Sequence, residues 1–195
     1  MAEPLPAELA QRVRCVILDV DGVMTDGGIY TGVTESGEPV ELKRFEITDG
    51  LGTKMLVWAG LQVFILSGRH SQANHRRAAE LSIEYREAPG GYKRVAADEL
   101  VAKAGCNWNE VACICDDLAD LPILEAAGLP VAVANAVPEV RAVAKWVTSR
   151  RGGDGAVREF AEALLRARGQ WNTLVAQYRE QRSSAPPAHN PDAKA

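Results

Sequence analysis

Short apolar runs recur along the chain, and most of them end in polar or turn-forming residues. They span residues 13–18, 61–66, 111–114 and 131–133. A short apolar run of this kind is typical of a strand that is buried on both faces. Helical periodicity fills the intervals, over residues 50–59, 71–81, 92–104, 118–127, 138–144 and 155–167. Strands that alternate with helices predict a Rossmann-like, mostly parallel α/β sheet with helices on both faces.

One stretch breaks this alternation. Residues 28–45 hold two β-rich runs around a turn with glycine and proline, which predicts a β-hairpin inserted after the first strand. The insertion is too short for a large cap domain. An isolated hairpin is marginally stable, so we expect it to pack on another surface, including that of other subunits. We predict one domain over residues 1–182 and a disordered, Pro/Ala/Ser-rich tail over 183–195.

Composition and charge narrow the classes of function. Hydrophobic residues make up 47% of the chain and the net charge is −4, which gives no basic footprint for nucleic acid. No apolar run approaches the roughly 18 residues that span a bilayer, and the first residues lack the order of a signal peptide. The four cysteines match neither a redox pair nor a zinc framework. We expect a cytoplasmic protein without nucleic-acid or membrane partners.

Two aspartates follow the first predicted strand. Asp19 and Asp21 are two residues apart, so in extended backbone their carboxylates face the same side. Carboxylates that close repel each other unless a proton or a cation lies between them. Gly22 permits a sharp turn directly afterwards. Loop aspartates are also common without any chemistry, so the pair matters only in combination with other residues.

A hydroxyl and two cations follow further along the chain. Ser67 ends the second predicted strand just before Arg69, where the two side chains are suited to binding a phosphate. An ordinary Ser-Gly turn with a surface arginine is the alternative. Lys93 opens a predicted helix, where its charge opposes the helix dipole unless an anion binds nearby. A solvated surface lysine is the alternative there.

An acidic group follows the third predicted strand. Asp116, Asp117 and Asp120 are favourable in a first helical turn, so capping explains part of the pattern. Ligands of open α/β sheets bind outside the carboxyl ends of the strands, and carboxylate oxygens are preferred by Mg²⁺. In chain order, paired Asp, Ser, Lys and paired Asp therefore predict one metal-dependent phosphate site.

These motifs together resemble the haloacid dehalogenase superfamily of phosphatases. Asp19-Val20-Asp21-Gly22 is similar to its first motif, Ser67 to its second, Lys93 to its third and Asp116-Asp117 to its fourth. The resemblance covers approximately residues 13–170. Within it, residues 19–28, 49–52, 67–69, 116–122 and 152–157 resemble the branch that hydrolyses 3-deoxy-D-manno-octulosonate 8-phosphate in lipopolysaccharide precursor biosynthesis. Cys115 departs from the usual glycine and adds bulk beside the expected metal.

The resemblance implies a role for each motif residue. Asp19 is the expected nucleophile and forms an aspartyl-phosphate, and Asp21 is the expected general acid and base. Ser67 and Lys93 are expected to hold the phosphoryl group. Mg²⁺ is expected on Asp19, Asp21 and Asp116, with Asp117 or Asp120 orienting a metal-bound water or Lys93. The implied substrate-binding residues are Asp21, Asp49, Gly50, Lys54, Arg69, Arg77 and Lys93.

Assembly and the alternative functions complete the prediction. The resemblance implies a homotetramer in which hairpins associate and a neighbouring subunit covers each site. A nine-carbon keto-acid phosphate remains an alternative substrate, and a non-catalytic oligomerising domain of the same fold is an alternative class. A phosphoacceptor receiver domain is disfavoured by the order of the motifs along the chain. A sugar-phosphate mutase is disfavoured by the lack of a helical cap. His70 and His75 are five residues apart, so helical spacing predicts no metal cluster from them.

Overall fold

The computed structural model describes residues 3–183, and its main feature is a six-stranded sheet. The strands are β1 (Cys15–Leu18), β4 (Gln62–Ser67), β5 (Glu84–Glu87), β6 (Val111–Cys115), β7 (Leu129–Ala132) and β8 (Trp146–Val147). Their order is β5-β4-β1-β6-β7-β8, and every pairing is parallel. The predicted α/β fold with a parallel sheet is confirmed.

The hairpin inserted after β1 forms a sheet of its own. Strands β2 (Tyr30–Val33) and β3 (Pro39–Leu42) pair antiparallel, with Tyr30 opposite Leu42. A bridge between Thr25 and Phe45 closes the base of the insertion. This hairpin (residues 30–42) was predicted from its β-rich runs and its turn residues.

Residues 3–183 contain eight α-helices. They are α1 (Ala7–Arg12), α2 (Ile47–Trp58), α3 (Gln72–Leu81), α4 (Lys93–Lys103), α5 (Leu121–Leu124), α6 (Pro138–Val143), α7 (Ala156–Ala167) and α8 (Trp171–Ser183). The buried residues of α7, including Val157, Phe160, Ala161 and Leu164, form the stripe that an amphipathic helix packs on a sheet. None of these helices is both long and apolar enough to cross a membrane.

The structure differs from the sequence prediction at several elements. The helix predicted over 118–127 is a 3₁₀ turn (Leu118–Asp120) followed by the short α5, because Pro122 has no N–H to continue the helical ladder. Four elements were not predicted, namely α1, β5, β8 and α8. Ser71 precedes α3 but does not cap it with its side chain; its hydroxyl donates to Glu41. Of the predicted tail, Ser183 ends α8 and residues 184–195 lie outside the described residues.

The parallel register brings the ends of three central strands together. Leu18 of β1 pairs with Ile65 of β4 and with Ile114 of β6. All four residues of β1 and all five of β6 are buried, and each buried aliphatic side chain stabilises the fold by about 1.5–3 kcal/mol. The polar residues that follow these strands therefore emerge at one edge of a rigid core.

Candidate active site

A buried lysine lies between two buried carboxylates at this edge. Asp19 follows β1, Lys93 begins α4, and Asp120 lies in the turn after β6. The Lys93 ammonium donates to Asp19 Oδ1 over 2.7 Å and to Asp120 Oδ1 over 2.5 Å. All three side chains are almost completely shielded from solvent. Burial at this depth requires compensating charges, and the arrangement supplies them.

A third carboxylate completes what we call the carboxylate cluster, Asp19, Asp116 and Asp120. One oxygen from each lies within 4.8 Å of the others. Asp116 Oδ1 is buried and has no hydrogen-bond partner among residues 3–183. Gly22 makes this approach possible, since it turns with φ of +85° and a Cβ there would lie 2.0 Å from Asp116 Oδ2. A buried carboxylate oxygen without a donor is what a cation site presents before the cation binds.

The electrostatics of the cluster favour a bound cation. Burial, followed by the charge of Asp120, raises the pKa of Asp19 well above its usual range despite the opposing effect of Lys93. The same two causes raise the pKa of Asp116 to about 7. Burial alone would lower the pKa of Lys93, but Asp19 and Asp120 outweigh it and raise the pKa. One ammonium facing three carboxylates leaves excess negative charge, so the donor set fits a divalent ion such as Mg²⁺.

The loop after β4 lies against the same lysine. Ser67 is buried, and its hydroxyl oxygen accepts hydrogen bonds from the Arg69 N–H over 3.2 Å and from Asn74 Nδ2 over 3.3 Å. Gly68 passes close to the Lys93 side chain, since a Cβ at this glycine would lie 3.6 Å from Lys93 Cε. The structure thus brings the Ser67 loop next to the carboxylate cluster, with the hydroxyl bonded inside the loop.

The hairpin supplies a second buried lysine that the sequence analysis did not single out. Lys43 follows β3, its side chain is fully buried, and its ammonium donates to Asp21 Oδ1 over 2.7 Å. Glu41 lies 3.7 Å from the same ammonium and also accepts from Ser71 Oγ and Arg69 Nη2. The available signal was the two-residue spacing of Glu41 and Lys43 in the predicted hairpin. Asp21 and Arg69 are therefore both held by the insertion.

Comparison with known proteins identifies the family. Residues 87–160 match the model for haloacid dehalogenase-like hydrolases. The 3-deoxy-D-manno-octulosonate 8-phosphate phosphatase of Yersinia pestis is 41% identical over 167 residues, covering 84% of this chain and 87% of the relative. The Escherichia coli (strain K12) phosphatase of the same name is 40% identical over 161 residues, covering 83% and 84%. The chain belongs to this phosphatase family.

Solved structures of the family agree with the fold described above. The 3-deoxy-D-manno-octulosonate 8-phosphate phosphatase of Moraxella catarrhalis, in complex with magnesium, phosphate and a KDO molecule, is 34% identical. It matches with a TM-score of 0.81, covering 88% of this chain and 97% of that chain. The cobalt-bound phosphatase of Haemophilus influenzae is 40% identical with a TM-score of 0.75, covering 83% and 92%. Both therefore share the overall fold of this chain.

The glycine-rich segment over residues 152–155 packs under the Asp19-to-Gly22 turn. Asn135 donates to the Gly22 carbonyl over 2.9 Å and accepts from the Gly152 N–H over 2.7 Å. A Cβ at Gly152 would lie 1.8 Å from the Gly22 oxygen, so only glycine permits this approach. Asn135 was not identified from the sequence, where it is one polar residue in a loop.

Asp117 and Asp120, the two candidates for orienting a metal-bound water or Lys93, have different surroundings. Asp117 is exposed, and its side chain accepts from the Leu118 N–H over 2.8 Å to cap the turn after β6. Asp120 is buried and bonds directly to Lys93. Of the two residues left open by the sequence, Asp120 is the one placed against Lys93.

The other predicted substrate residues lie in a second region. Gly50, Lys54 and Arg77 line a cavity of about 370 Å³ between α2, α3 and α8, and none of its lining residues belongs to the carboxylate cluster. Arg77 donates to the Glu46 carbonyl and to Glu80, and it lies against Gly50. The structure of the single chain therefore separates these residues from Asp19.

Asp49 is buried beside this second region without a cationic hydrogen-bond partner. Its Oδ1 accepts from the Arg158 N–H over 2.7 Å, while its Oδ2 is buried with no hydrogen-bond partner in the described part of the chain. Burial raises the pKa of Asp49 to about 6, against the lowering effect of the Arg158 N–H. Its carboxylate thus contrasts with those of Asp19 and Asp21, each of which has its own lysine.

Proposed function

We propose that this chain is a Mg²⁺-dependent phosphomonoesterase that hydrolyses 3-deoxy-D-manno-octulosonate 8-phosphate to the free sugar acid and phosphate. The observation that carries the proposal is the convergence of three carboxylates and the Lys93 ammonium at the strand ends. Relatives of this activity at about 40% identity support the substrate. We place the reaction in lipopolysaccharide precursor biosynthesis.

In the proposed first step, a carboxylate oxygen of Asp19 attacks phosphorus and the bond to the sugar oxygen breaks. Asp21 gives its proton to the departing oxygen, and then accepts a proton from the water that hydrolyses the aspartyl-phosphate. Lys43 bonds to Asp21 and fixes the direction of its carboxylate. The products are the free sugar acid, inorganic phosphate and regenerated Asp19.

Charge neutralisation is the main requirement of this reaction. Asp19, Asp116 and the backbone carbonyl of Asp21 would hold Mg²⁺, which when bound neutralises the repulsion between a carboxylate nucleophile and an anionic phosphate. Lys93 opposes the rise in the pKa of Asp19 through their 2.7 Å contact and, with Ser67, is proposed to bind the phosphoryl oxygens. Asp120 holds Lys93 in place.

The sugar acid itself needs further recognition. Arg69 lies at the hairpin side of the site, where it contacts Glu41, and we propose that it meets the substrate carboxylate. Asp49, Gly50, Lys54 and Arg77 remain proposed substrate residues. In one chain, however, the last three line a separate cavity. An assembly that brings this second region to a neighbouring site would reconcile the two positions.

Phosphate release from a panel of phosphorylated sugar acids, with and without Mg²⁺, tests the proposed function. We expect Mg²⁺-dependent release with a preference for the eight-carbon acid phosphate over nine-carbon acids, glucose 6-phosphate and nucleotides. Faster release from glucose 6-phosphate or nucleotides would overturn the substrate. No release from any ester would favour a non-catalytic domain instead.

We also propose the homotetramer, with the hairpin as its interface. The support is the apolar surface of the hairpin, where Val33 and Leu42 are 73% and 62% exposed and Tyr30 is 56% exposed. Such a surface is costly to leave in water. We expect Leu42→Asp to lower the mass in solution, measured by light scattering. Val95→Asp, at an exposed apolar position on α4, is the control that should not change the mass.

A cytoplasmic location is part of the same proposal. The thiols of Cys15, Cys113 and Cys115 are free and buried, which suits a reducing compartment.

A further inference from the structure

Two histidines and a glutamate meet on the surface beside β5, outside the carboxylate cluster. His70 lies in the loop after β4, His75 lies in α3, and Glu87 ends β5. His70 Nδ1 is 2.9 Å and 3.0 Å from the two oxygens of Glu87, and His75 Nε2 is 2.9 Å from Glu87 Oε1. Helical spacing predicted no metal cluster from these histidines, but that spacing does not apply to His70, which precedes α3, and both rings meet at Glu87.

The cluster has the donor atoms that a three-ligand metal site requires. One ligand atom from each residue lies within 4.8 Å of the others. Two atoms that are each about 2.1 Å from one ion are about 3.0 Å apart at a right angle and about 3.4 Å apart at the tetrahedral angle. The nitrogen–oxygen separations of 2.9–3.0 Å lie at the lower end of this range. Both histidines are exposed, so an ion reaches them from solution.

The surroundings orient the ligands. The His75 ring packs edge-on against Tyr85, with ring centroids 4.6 Å apart, and the Tyr85 hydroxyl donates to the Arg69 carbonyl. Slight burial raises the pKa of Glu87, but hydrogen bonds from His70 and His75 outweigh it and lower the pKa. The carboxylate is therefore ionised at neutral pH, as a ligand must be.

We propose that His70, His75 and Glu87 form a second metal site that takes a divalent transition ion such as Zn²⁺. Imidazole nitrogens favour this class of ion, whereas Mg²⁺ prefers oxygen ligands, so the two sites differ in the metal they select. Three protein ligands leave a coordination position for water. Bound metal would link the loop after β4, α3 and β5. The inference does not depend on the phosphatase activity.

Isothermal titration with Zn²⁺ in excess Mg²⁺ tests the site. We expect one Zn²⁺ per chain, and His75→Ala should weaken its binding by at least about 10-fold, the loss seen when even an outer partner of a metal ligand is removed. His189→Ala removes the third histidine of the chain and should bind as the wild type does. Asp116→Asn should also retain this Zn²⁺, which separates it from the catalytic metal.

Imidazole NMR gives a second readout that is independent of heat changes. With three histidines in the chain, Zn²⁺ should shift the ring nitrogen signals of two of them and leave that of His189 unchanged. A chain that binds no Zn²⁺, a His75→Ala variant that binds as tightly as the wild type, or loss of the Zn²⁺ in Asp116→Asn would each overturn the proposal.

Discussion

Each aspartate of the Asp19-Val20-Asp21 motif has its own buried lysine, and the two lysines come from different regions. Lys93 belongs to the core domain and also bonds Asp120, so it is locked among carboxylates that are almost fully buried. Lys43 belongs to the hairpin insertion, and its partner Asp21 keeps a quarter of its side chain exposed. The core thus holds the proposed nucleophile, while the insertion holds the proposed acid and base.

The core domain and the hairpin insertion therefore contribute differently to stability and to catalysis. Removing the cation from a buried cluster of like charges is destabilising, so Lys93 contributes to stability as well as to chemistry. Lys43 contributes less to the stability of the fold, because its partner Asp21 retains contact with water. The hairpin insertion therefore orients the carboxylate of Asp21 and contributes little to the stability of the core.

Replacing the core lysine should have the largest effect. In Lys93→Met, Asp19, Asp116 and Asp120 would face one another without an ammonium, so the free energy of unfolding should fall by about 3–5 kcal/mol. Phosphate release should fall by about 10³-fold, as when a key electrostatic donor is lost. Urea unfolding without Mg²⁺ and an activity assay measure the two effects.

The control for this variant is Lys103→Met on the same helix. Lys103 is exposed and forms a surface ion pair with Glu84, so its loss should change stability by about 1 kcal/mol or less and leave activity intact. Equal behaviour of the two variants would contradict the distinction between a buried cluster and a surface pair.

Replacing the hairpin lysine should separate chemistry from stability. In Lys43→Met, Asp21 loses its orienting contact, so we expect kcat to fall by about 10²-fold, at the low end for acid–base catalysis. KM and the melting temperature should change little. Lys43→Arg, which keeps the charge, should recover part of kcat. A wild-type kcat in Lys43→Met would show that the insertion does not position Asp21.

Asp49 provides a buried carboxylate without a lysine, and its effect should appear in stability. Its pKa of about 6 in the folded chain exceeds its ordinary value of 3.8, so the folded state holds the proton more tightly. Stability from this group is therefore present at low pH and is lost as pH rises from about 4 to about 6, by roughly 2 kcal/mol. Asp49→Asn should remove this slope in urea unfolding measured across that range. An identical slope in the variant would contradict the assignment.

Much of the fold was predictable because its core strands are short and continuously apolar. Their apolar runs predicted β1, β4 and β6, which lead to Asp19, Ser67 and Asp116. β5 did not, because Glu84-Tyr85-Arg86-Glu87 is a partly exposed edge strand whose polar side chains obscure the pattern. α8 also lacks a strong apolar stripe, with Trp171 and Leu174 as its buried residues.

The site residues that directly follow strands were predictable from the sequence. The contacts between side chains that depend on tertiary packing were less predictable. Lys93 and Asp120 were named from the sequence, but their direct contact required the structure. Lys43 was missed because a lysine in a hairpin normally faces water. Arg77 and Gly50 were grouped with the site by resemblance, and their separate cavity depends on how α2 meets α3.

The identity of the nucleophile is tested most directly by chemical trapping of the aspartyl-phosphate. Borohydride reduces an acyl phosphate to an alcohol, so an intermediate on Asp19 would become homoserine. We predict homoserine at position 19, detected by peptide mass spectrometry, only when both substrate and Mg²⁺ are present, and none in a folded, inactive Asp19→Asn variant. Homoserine at Asp21, Asp116 or Asp120, or turnover retained by Asp19→Asn, would contradict the account.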